Sequence, residues 1–172
     1  MRVLTQVRDH LLKEAGLEEG KVVLDVGAGE GLIGALELVG TTGRVIFSDI
    51  SQALLEFDRS AAEQMGVLDR CSFVKAAAED LSAIESESVD VVTTRSVLIY
   101  VDDKPKAFRE FFRVLKPGGR TALFEPIDDQ RMSGFQNTGE EGLGPILIRR
   151  KLGPSEICWN GLPFIGRHTT ST

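Results

Sequence analysis

Residues 22–31 read Val-Val-Leu-Asp-Val-Gly-Ala-Gly-Glu-Gly, an apolar run that stops in alternating glycines. Val22 to Val26 are β-branched or apolar apart from Asp25, the pattern of an inner strand in a parallel sheet. Gly27, Gly29 and Gly31 have no Cβ, so backbone there can turn tightly and approach a bound group. A helix opened by such a turn points its free N–H groups at the same place. Strand, glycine turn and helix in that order predict an α/β crossover fold with a nucleoside-bearing cofactor at the turn. A glycine turn without a ligand is the plainer alternative.

Two cofactors compete for this turn. Gly29 to Gly34 matches G-x-G-x-x-G, and Asp49 follows Gly29 by 20 residues, as a dinucleotide site asks. Against a nicotinamide dinucleotide, the glycine at the strand end is Gly27, and counted from there the pattern fails at Leu32. Asp25 also puts a carboxylate at the strand end, where an anionic pyrophosphate gains nothing. A cofactor carrying an ammonium and a sulfonium does gain. An acid followed by G-x-G-x-G therefore suits S-adenosylmethionine.

Further along, helical and strand periods alternate. Leu4, Val7, Leu11 and Ala15 are spaced as one face of a leading helix that stops near Gly16. Strands are predicted at 22–26, 44–47, 72–75, 89–94 and 121–124, with helices over 32–39 and from Ser51 to about Met65. Ala78 to Ile84 reads as a loop with a short helix. Asp103 caps a further helix, in which Ala107, Phe108, Phe111, Phe112 and Leu115 form the buried stripe and Lys116-Pro117-Gly118-Gly119 the stop. Five strand–helix repeats predict a doubly wound, mostly parallel sheet with helices on both faces. Ligands in such sheets lie beyond the carboxyl ends of the strands. Asp25, Gly27, Asp49, Ala78 and Arg95 all fall there. After Pro126 the periodicity breaks, and 127–172 is read as an irregular C-terminal segment of the same domain, behind a leading helix over 1–19 and a cofactor-binding core over 20–126.

At 172 residues the chain is expected to hold one domain. A net charge of −6 without a basic run argues against nucleic acid as a partner. The densest basic cluster, Arg149-Arg150-Lys151, is expected on a solvated face. His10 and His168 offer no ligand spacing, so no metal is expected. Cys71 and Cys158 are the two cysteines, and Cys71, just before a strand, is expected as a buried free thiol rather than a disulfide partner. No signal peptide or membrane span is visible, and the expectation is a cytoplasmic protein without a membrane partner.

Four segments, LDVGAGEG (24–31), FSDIS (47–51), AAAEDL (76–81) and VDVVTTRSVLIYVDDKPKAFREFFRVLKPGGR (89–120), resemble the class I S-adenosylmethionine-dependent methyltransferases. The likeness is to the small-molecule group that includes ubiquinone and menaquinone biosynthesis enzymes, and it covers residues 20–126. It implies a Rossmann-like methyltransferase fold and methyl transfer to a small-molecule acceptor. It further implies Asp25 near the methionine end of the cofactor, with Gly27, Ala28, Gly29 and Gly31 passing under it. Asp49 would accept both ribose hydroxyls, and Ile50 would pack on the adenine face. Ala78 would offer its N–H to the adenine edge beside Glu79, and Arg95 and Ser96 would line the methionine part. No catalytic residue follows from the motifs; Tyr100 and Asp102 are the nearest candidates for a general base.

Each assignment has a plainer rival: Asp25 as a turn cap, Asp49 as the cap of the helix at Ser51, Glu79-Asp80 as a solvated first helical turn, Arg95 as an ordinary ion-pair residue. The chain departs from the family twice. Ala77 stands where a carboxylate usually meets the adenine amine, with Glu79 or Asp80 as substitutes. The antiparallel hairpin that ends the family's sheet is not evident in 127–172, so the antiparallel part is read as incomplete. The fifth strand would then be an open edge unless Leu147-Ile148 or Cys158-Trp159 covers it, and an open edge favours a homodimer. A non-catalytic cofactor-binding or interaction domain is the alternative function.

Overall fold

The computed structural model describes residues 11–29, 35–124, 146–151 and 157–159. Within these, the strands β1 (Val22–Val26), β2 (Arg44–Asp49), β3 (Cys71–Lys75), β4 (Val89–Arg95), β5 (Leu115–Phe124), β6 (Ile146–Lys151) and β7 (Ile157–Trp159) form one sheet in the order β3-β2-β1-β4-β5-β6-β7. The first five are parallel, and β6 and β7 are antiparallel. The helical segments are α1 (residues 11–14), α2 (Ala35–Leu38), α3 (Gln52–Gln64) and α4 (Lys104–Val114). Leu4, Val7, His10, Gly31 and His168 lie outside the described residues.

Alternation along β1 separates two cores. Val23 joins Leu11, Leu12, Ala15, Leu36, Phe47 and Leu55 on one face. Leu24 and Val26 join Leu81, Leu98, Phe111, Val114 and Leu123 on the other. A strand buried on both faces has no solvent side, which is why β1 is apolar almost throughout. The leading helical turn, α2 and α3 cover the first face and α4 the second, as the crossover rule requires.

Local signals set the helix ends. The Ser51 Oγ accepts from the N–H of Leu54 at 3.4 Å and starts α3, and Gly66 ends it with φ of 68°. The Asp103 Oδ1 accepts from the N–H of Lys106 at 2.9 Å and starts α4. Val114 belongs to the buried stripe of α4, while Phe112 is only half-buried.

Two readings of the sequence need correction. Residues 78–84 contain no helix but form two successive tight turns, the Asp80 N–H donating to the Ala77 carbonyl at 3.0 Å and the Ile84 N–H to the Leu81 carbonyl at 2.8 Å. Lys116-Pro117-Gly118-Gly119 ends the helix but also belongs to β5. That strand begins at Leu115 opposite Val89 and slips register before Arg120 meets Val91. A Cβ on Gly119 would sit 2.9 Å from the Asp90 carbonyl oxygen, so only glycine lets the two strands close there.

β5 is not an edge. β6 runs antiparallel along it, with Leu147 opposite Leu123 and Ile148 opposite Ala122, and β7 pairs in turn with β6, Cys158 opposite Arg150. Leu147-Ile148 thus covers β5 directly and Cys158-Trp159 lies one strand further out. This removes the open edge on which the expectation of a homodimer rested. Arg149, Arg150 and Lys151, expected on a solvated face, are residues of β6.

Candidate functional site

The strand order reverses between β1 and β4, so the loops leaving their carboxyl ends diverge and open a crevice. Gly27 follows β1 with φ of 65° and Gly29 has φ of 61°. Between them Ala28 is buried and donates its N–H to the Ser48 carbonyl at 3.0 Å. A Cβ on Gly27 would overlap Val97, the residue two places beyond β4. Among the described residues a Cβ on Gly29 would meet only the Gly27 carbonyl oxygen, 3.8 Å away. The first glycine therefore exists for the fit of the β1 and β4 loops, and the second leaves an open cradle.

Asp49, the last residue of β2, binds that cradle. Its Oδ2 accepts from the N–H of Gly29 at 3.1 Å and its Oδ1 from the N–H of Ser51 at 2.8 Å, with 7% of the residue exposed. It does not cap α3, since the Ser51 side chain does so. An ionised carboxylate has about four acceptor positions, so two remain for further donors. Among the described residues no cation pairs with it.

Asp25 lies deeper. It is 2% exposed, in register with Phe47 and Thr93, and its Oδ1 accepts the Thr93 hydroxyl at 3.0 Å. The Ser48 hydroxyl donates to the Asp25 carbonyl at 3.2 Å. Asp25 therefore ties β1 to β4 through the Thr93 hydroxyl.

Next to Asp49 a surface pocket of about 350 Å³ is lined by Ile50, Lys75, Ala76, Ala77, Asp80, Ser82 and Ala83. The volume is at the small end of the range for ligand sites. Ile50 is 71% exposed, an apolar side chain left uncovered at the pocket rim. The Ala76 N–H donates to the Asp49 carbonyl at 3.0 Å, which joins the end of β2 to the wall of the pocket. Ala78 is buried in the turn and Glu79 half-buried beside it. The Asp80 Oδ1 accepts from the N–H of Ser82 at 3.2 Å. Bonds from the Ser82 side chain and backbone, helped by the charges of Lys106 and Arg113, hold the Asp80 carboxyl below its ordinary value.

The turn is fixed from beneath by α4. The Glu110 Oε2 accepts from the N–H of Leu81 at 2.9 Å, and Arg113 donates to the carbonyls of Leu81 at 2.7 Å and Ile84 at 2.9 Å. The Arg113–Glu110 pair itself closes at 2.8 Å, which lowers the Glu110 carboxyl and raises the Arg113 guanidinium from their ordinary values.

On the other side of the crevice, Arg95 ends β4 half-buried, without an ion pair among the described residues. Ser96 takes φ of 56° and donates its N–H to the Phe124 carbonyl at 2.8 Å. Ile99 and Tyr100 follow, 47% and 82% exposed, with Asp102 exposed beyond them. No group of histidines, cysteines and acids able to hold a metal occurs among the described residues. Cys71 is free and half-buried, and burial pushes its thiol up. No helix among the described residues is long and apolar enough to cross a membrane.

A methyltransferase-domain model matches residues 24–123, the span that builds both walls of this crevice. The chain belongs to the methyltransferase-domain family. It is 38% identical over 113 residues to the ubiquinone/menaquinone biosynthesis C-methyltransferase UbiE of Escherichia coli, a match covering 64% of this chain and 45% of that enzyme. The chain thus spans less than half the length of that relative. Among solved structures, a SAM-dependent methyltransferase from Aquifex aeolicus is 26% identical with a TM-score of 0.63, covering 72% of this chain and 67% of that one. The YcgJ protein of Bacillus subtilis is 30% identical with a TM-score of 0.62, covering 70% and 50%. The Aquifex aeolicus protein is by name dependent on SAM, S-adenosylmethionine. The residues present fit it: an open glycine cradle, a carboxylate with spare acceptor positions, and an apolar-rimmed pocket beside it.

The motifs pointed to Asp25, Gly27, Ala28, Gly29, Asp49, Ile50, Ala78, Glu79, Arg95 and Ser96, and the fold brings all of them to the carboxyl ends of β1 to β4. Thr93, Ser48, Val97 and the Glu110–Arg113 pair escaped sequence reasoning. Glu110 and Arg113 are visible as an i,i+3 pair on a helix, but nothing local names the loop they hold.

Proposed function

We propose that this chain transfers the methyl group of S-adenosylmethionine to a small-molecule acceptor. The observation that carries the reading is the Asp49 carboxylate, fixed by two backbone N–H groups at the lip of the glycine cradle and next to the pocket. Two vicinal hydroxyls donating to one oriented carboxylate make a charge-assisted, bidentate contact. Asp49 would hold the ribose, Ile50 would cover one face of the base, and Gly27, Ala28 and Gly29 would pass under the chain that leads to the methionine end. Arg95 and Ser96 would line that end, and Asp25 would set its field through the strand. The bound cofactor supplies an electrophilic methyl on a sulfonium.

The protein's share is alignment and the exclusion of water. The β4 loop from Ser96 to Tyr100 faces the crevice opposite the glycine cradle, and its position is fixed by the Ser96–Phe124 bond and by the contact of Val97 with Gly27. The acceptor would lie against this loop, with Tyr100 and Asp102 the nearest groups able to take a proton where the acceptor requires it. The UbiE relative is a C-methyltransferase by name, which supports carbon as the accepting atom.

Calorimetric titration with S-adenosylhomocysteine and NAD side by side tests the cofactor. Saturable binding of the first and none of the second is expected, and binding of NAD alone overturns the reading. Label transfer from S-adenosylmethionine into a pool of small metabolites tests the reaction.

A further inference from the structure

We propose that Arg95 anchors an oxyanion of the methyl acceptor, so that the acceptor is a small acid with an apolar body. The inference rests on the methyl-transfer reading above and names its substrate class. Arg95 closes β4 in register with Phe124 of β5, whereas β1 follows β4 only as far as Val26, opposite Thr94. Arg95 therefore stands past the last β1 pairing, on the β5 side of the crevice. Side chains alternate along a strand, so it shares the sheet face of Thr93, about 6–7 Å further toward the carboxyl edge. On that face the Thr93 hydroxyl meets the Asp25 carboxylate, while no carboxylate among the described residues pairs with Arg95.

The chemistry suits an acid. A half-buried guanidinium has given up part of its hydration, and an anion restores what it lost. Its planar fork takes two oxygens of a carboxylate or phosphate at once. A sulfonium or an ammonium is repelled there, so the cofactor's cations are poor partners. The cofactor's own α-carboxylate is the competing anion. Arg95 leads directly into the loop against which the acceptor would lie, where Ile99 and Tyr100 are 47% and 82% exposed. Apolar side chains hold a molecule without orienting it, and one charged group beside them decides which end faces the methyl. The backbone at Arg95 is fixed by its pairing with β5 and by the 2.8 Å bond from the Ser96 N–H to the Phe124 carbonyl. The oxyanion is the handle and not the accepting atom, because an oxygen tied to a guanidinium is a weakened nucleophile.

The experiment follows labelled methyl from S-adenosylmethionine into a pool of small metabolites and passes the products over an anion exchanger at neutral pH. The label is expected on the resin, and phosphatase treatment then tells a phosphate from a carboxylate, either of which supports the anchor. With the anionic fraction of the pool as acceptor, Arg95→Gln should raise the half-saturating amount by about ten-fold or more, the range for hydrogen bonds to a charged group. Arg95→Lys should raise it less, since lysine keeps the charge and loses the fork. Both variants, with folding checked by melting temperature, are also titrated with S-adenosylhomocysteine and with methylthioadenosine, which lacks the carboxylate. The ratio of those two dissociation constants should match that of the parent. Label in the unretained fraction overturns the inference, as does a half-saturation that Arg95→Gln leaves in place. A changed ratio overturns it too, by giving Arg95 to the cofactor's own carboxylate. A parent chain that binds S-adenosylhomocysteine yet transfers no label sinks the methyl-transfer reading, and this inference with it.

Discussion

Asp49 and Asp90 stand at opposite edges of one sheet, and both accept backbone N–H groups from β1 or the turn it enters. Asp90, at the amino edge, takes the N–H of Val22 at 2.9 Å, and its charge is met by Lys116 at 2.9 Å and Lys21 at 3.8 Å. Asp49, at the carboxyl edge, takes the N–H groups of Gly29 and Ser51, and no cation among the described residues approaches it. One acid is neutralised where the sheet only has to hold together. The other meets only neutral donors and keeps capacity for more, which marks the edge that works.

The largest effect should come from filling the cradle. Gly29→Val puts a β-branched residue at φ of 61°, a conformation such residues hardly adopt, and a side chain where the cofactor would run. Titration should find no S-adenosylhomocysteine binding in a variant that still folds, and normal binding would show the cradle to be only a turn. Asp49→Ala should weaken that binding by about 1.5–3 kcal/mol, the worth of hydrogen bonds to a charged group. It should also cost some stability, because two backbone N–H groups lose their acceptor. Equal binding by variant and parent would erase the contrast between the two acids.

Asp90→Ala should do the reverse, lowering unfolding free energy by about 1–2 kcal/mol, discounted for its partly exposed lysine partners, while cofactor affinity holds. The pH dependence sharpens this. Partial burial pushes the Asp90 carboxyl up, but the Val22 N–H and the ammonium groups of Lys116 and Lys21 outweigh it and hold it below its ordinary value. A carboxyl depressed in the folded state stabilises fully above its unfolded pKa, about 3.9, and that contribution disappears as pH falls through the folded value. Denaturant melts between pH 5 and 2 should therefore show a shallower acid loss in Asp90→Asn than in the parent. The smallest effect is expected from Ser51→Ala, a helix cap whose 3.4 Å bond places it at the low end, about 0.5 kcal/mol, with binding disturbed less than by Asp49→Ala.

What could be read from the sequence was what neighbours in the chain decide. β1 follows from five residues and its glycine turn, and α3 and α4 from Ser51, Gly66 and Asp103. Asp49 was legible as an acid closing a short strand. The start of β5 was not, because its first residue is a strand residue only by pairing with Val89, while Pro117 and the glycines after it read locally as a stop. β6 was hidden for the same reason: Ile146 to Lys151 is a short apolar piece running into three basic residues, and pairing with Arg120–Phe124 makes it a strand. The return of Asp80 to position 77 depends on a turn held by Glu110 and Arg113, which act from α4 across about thirty residues.

The bond between Thr93 and Asp25 spans 68 residues of chain. During synthesis at roughly 5–20 residues per second, β1 leaves the ribosome several seconds before β4 exists to pair with it. For that interval this largely apolar strand has β2 on one side and nothing on the other, with an acid near its end lacking the Thr93 hydroxyl that will later bond to it. The residues that build the carboxyl edge of this sheet are thus the ones a nascent chain must keep from straying longest, and a pulse-labelling experiment on ribosome-bound chains ending before and after Thr93 would see protection of β1 arrive in one step.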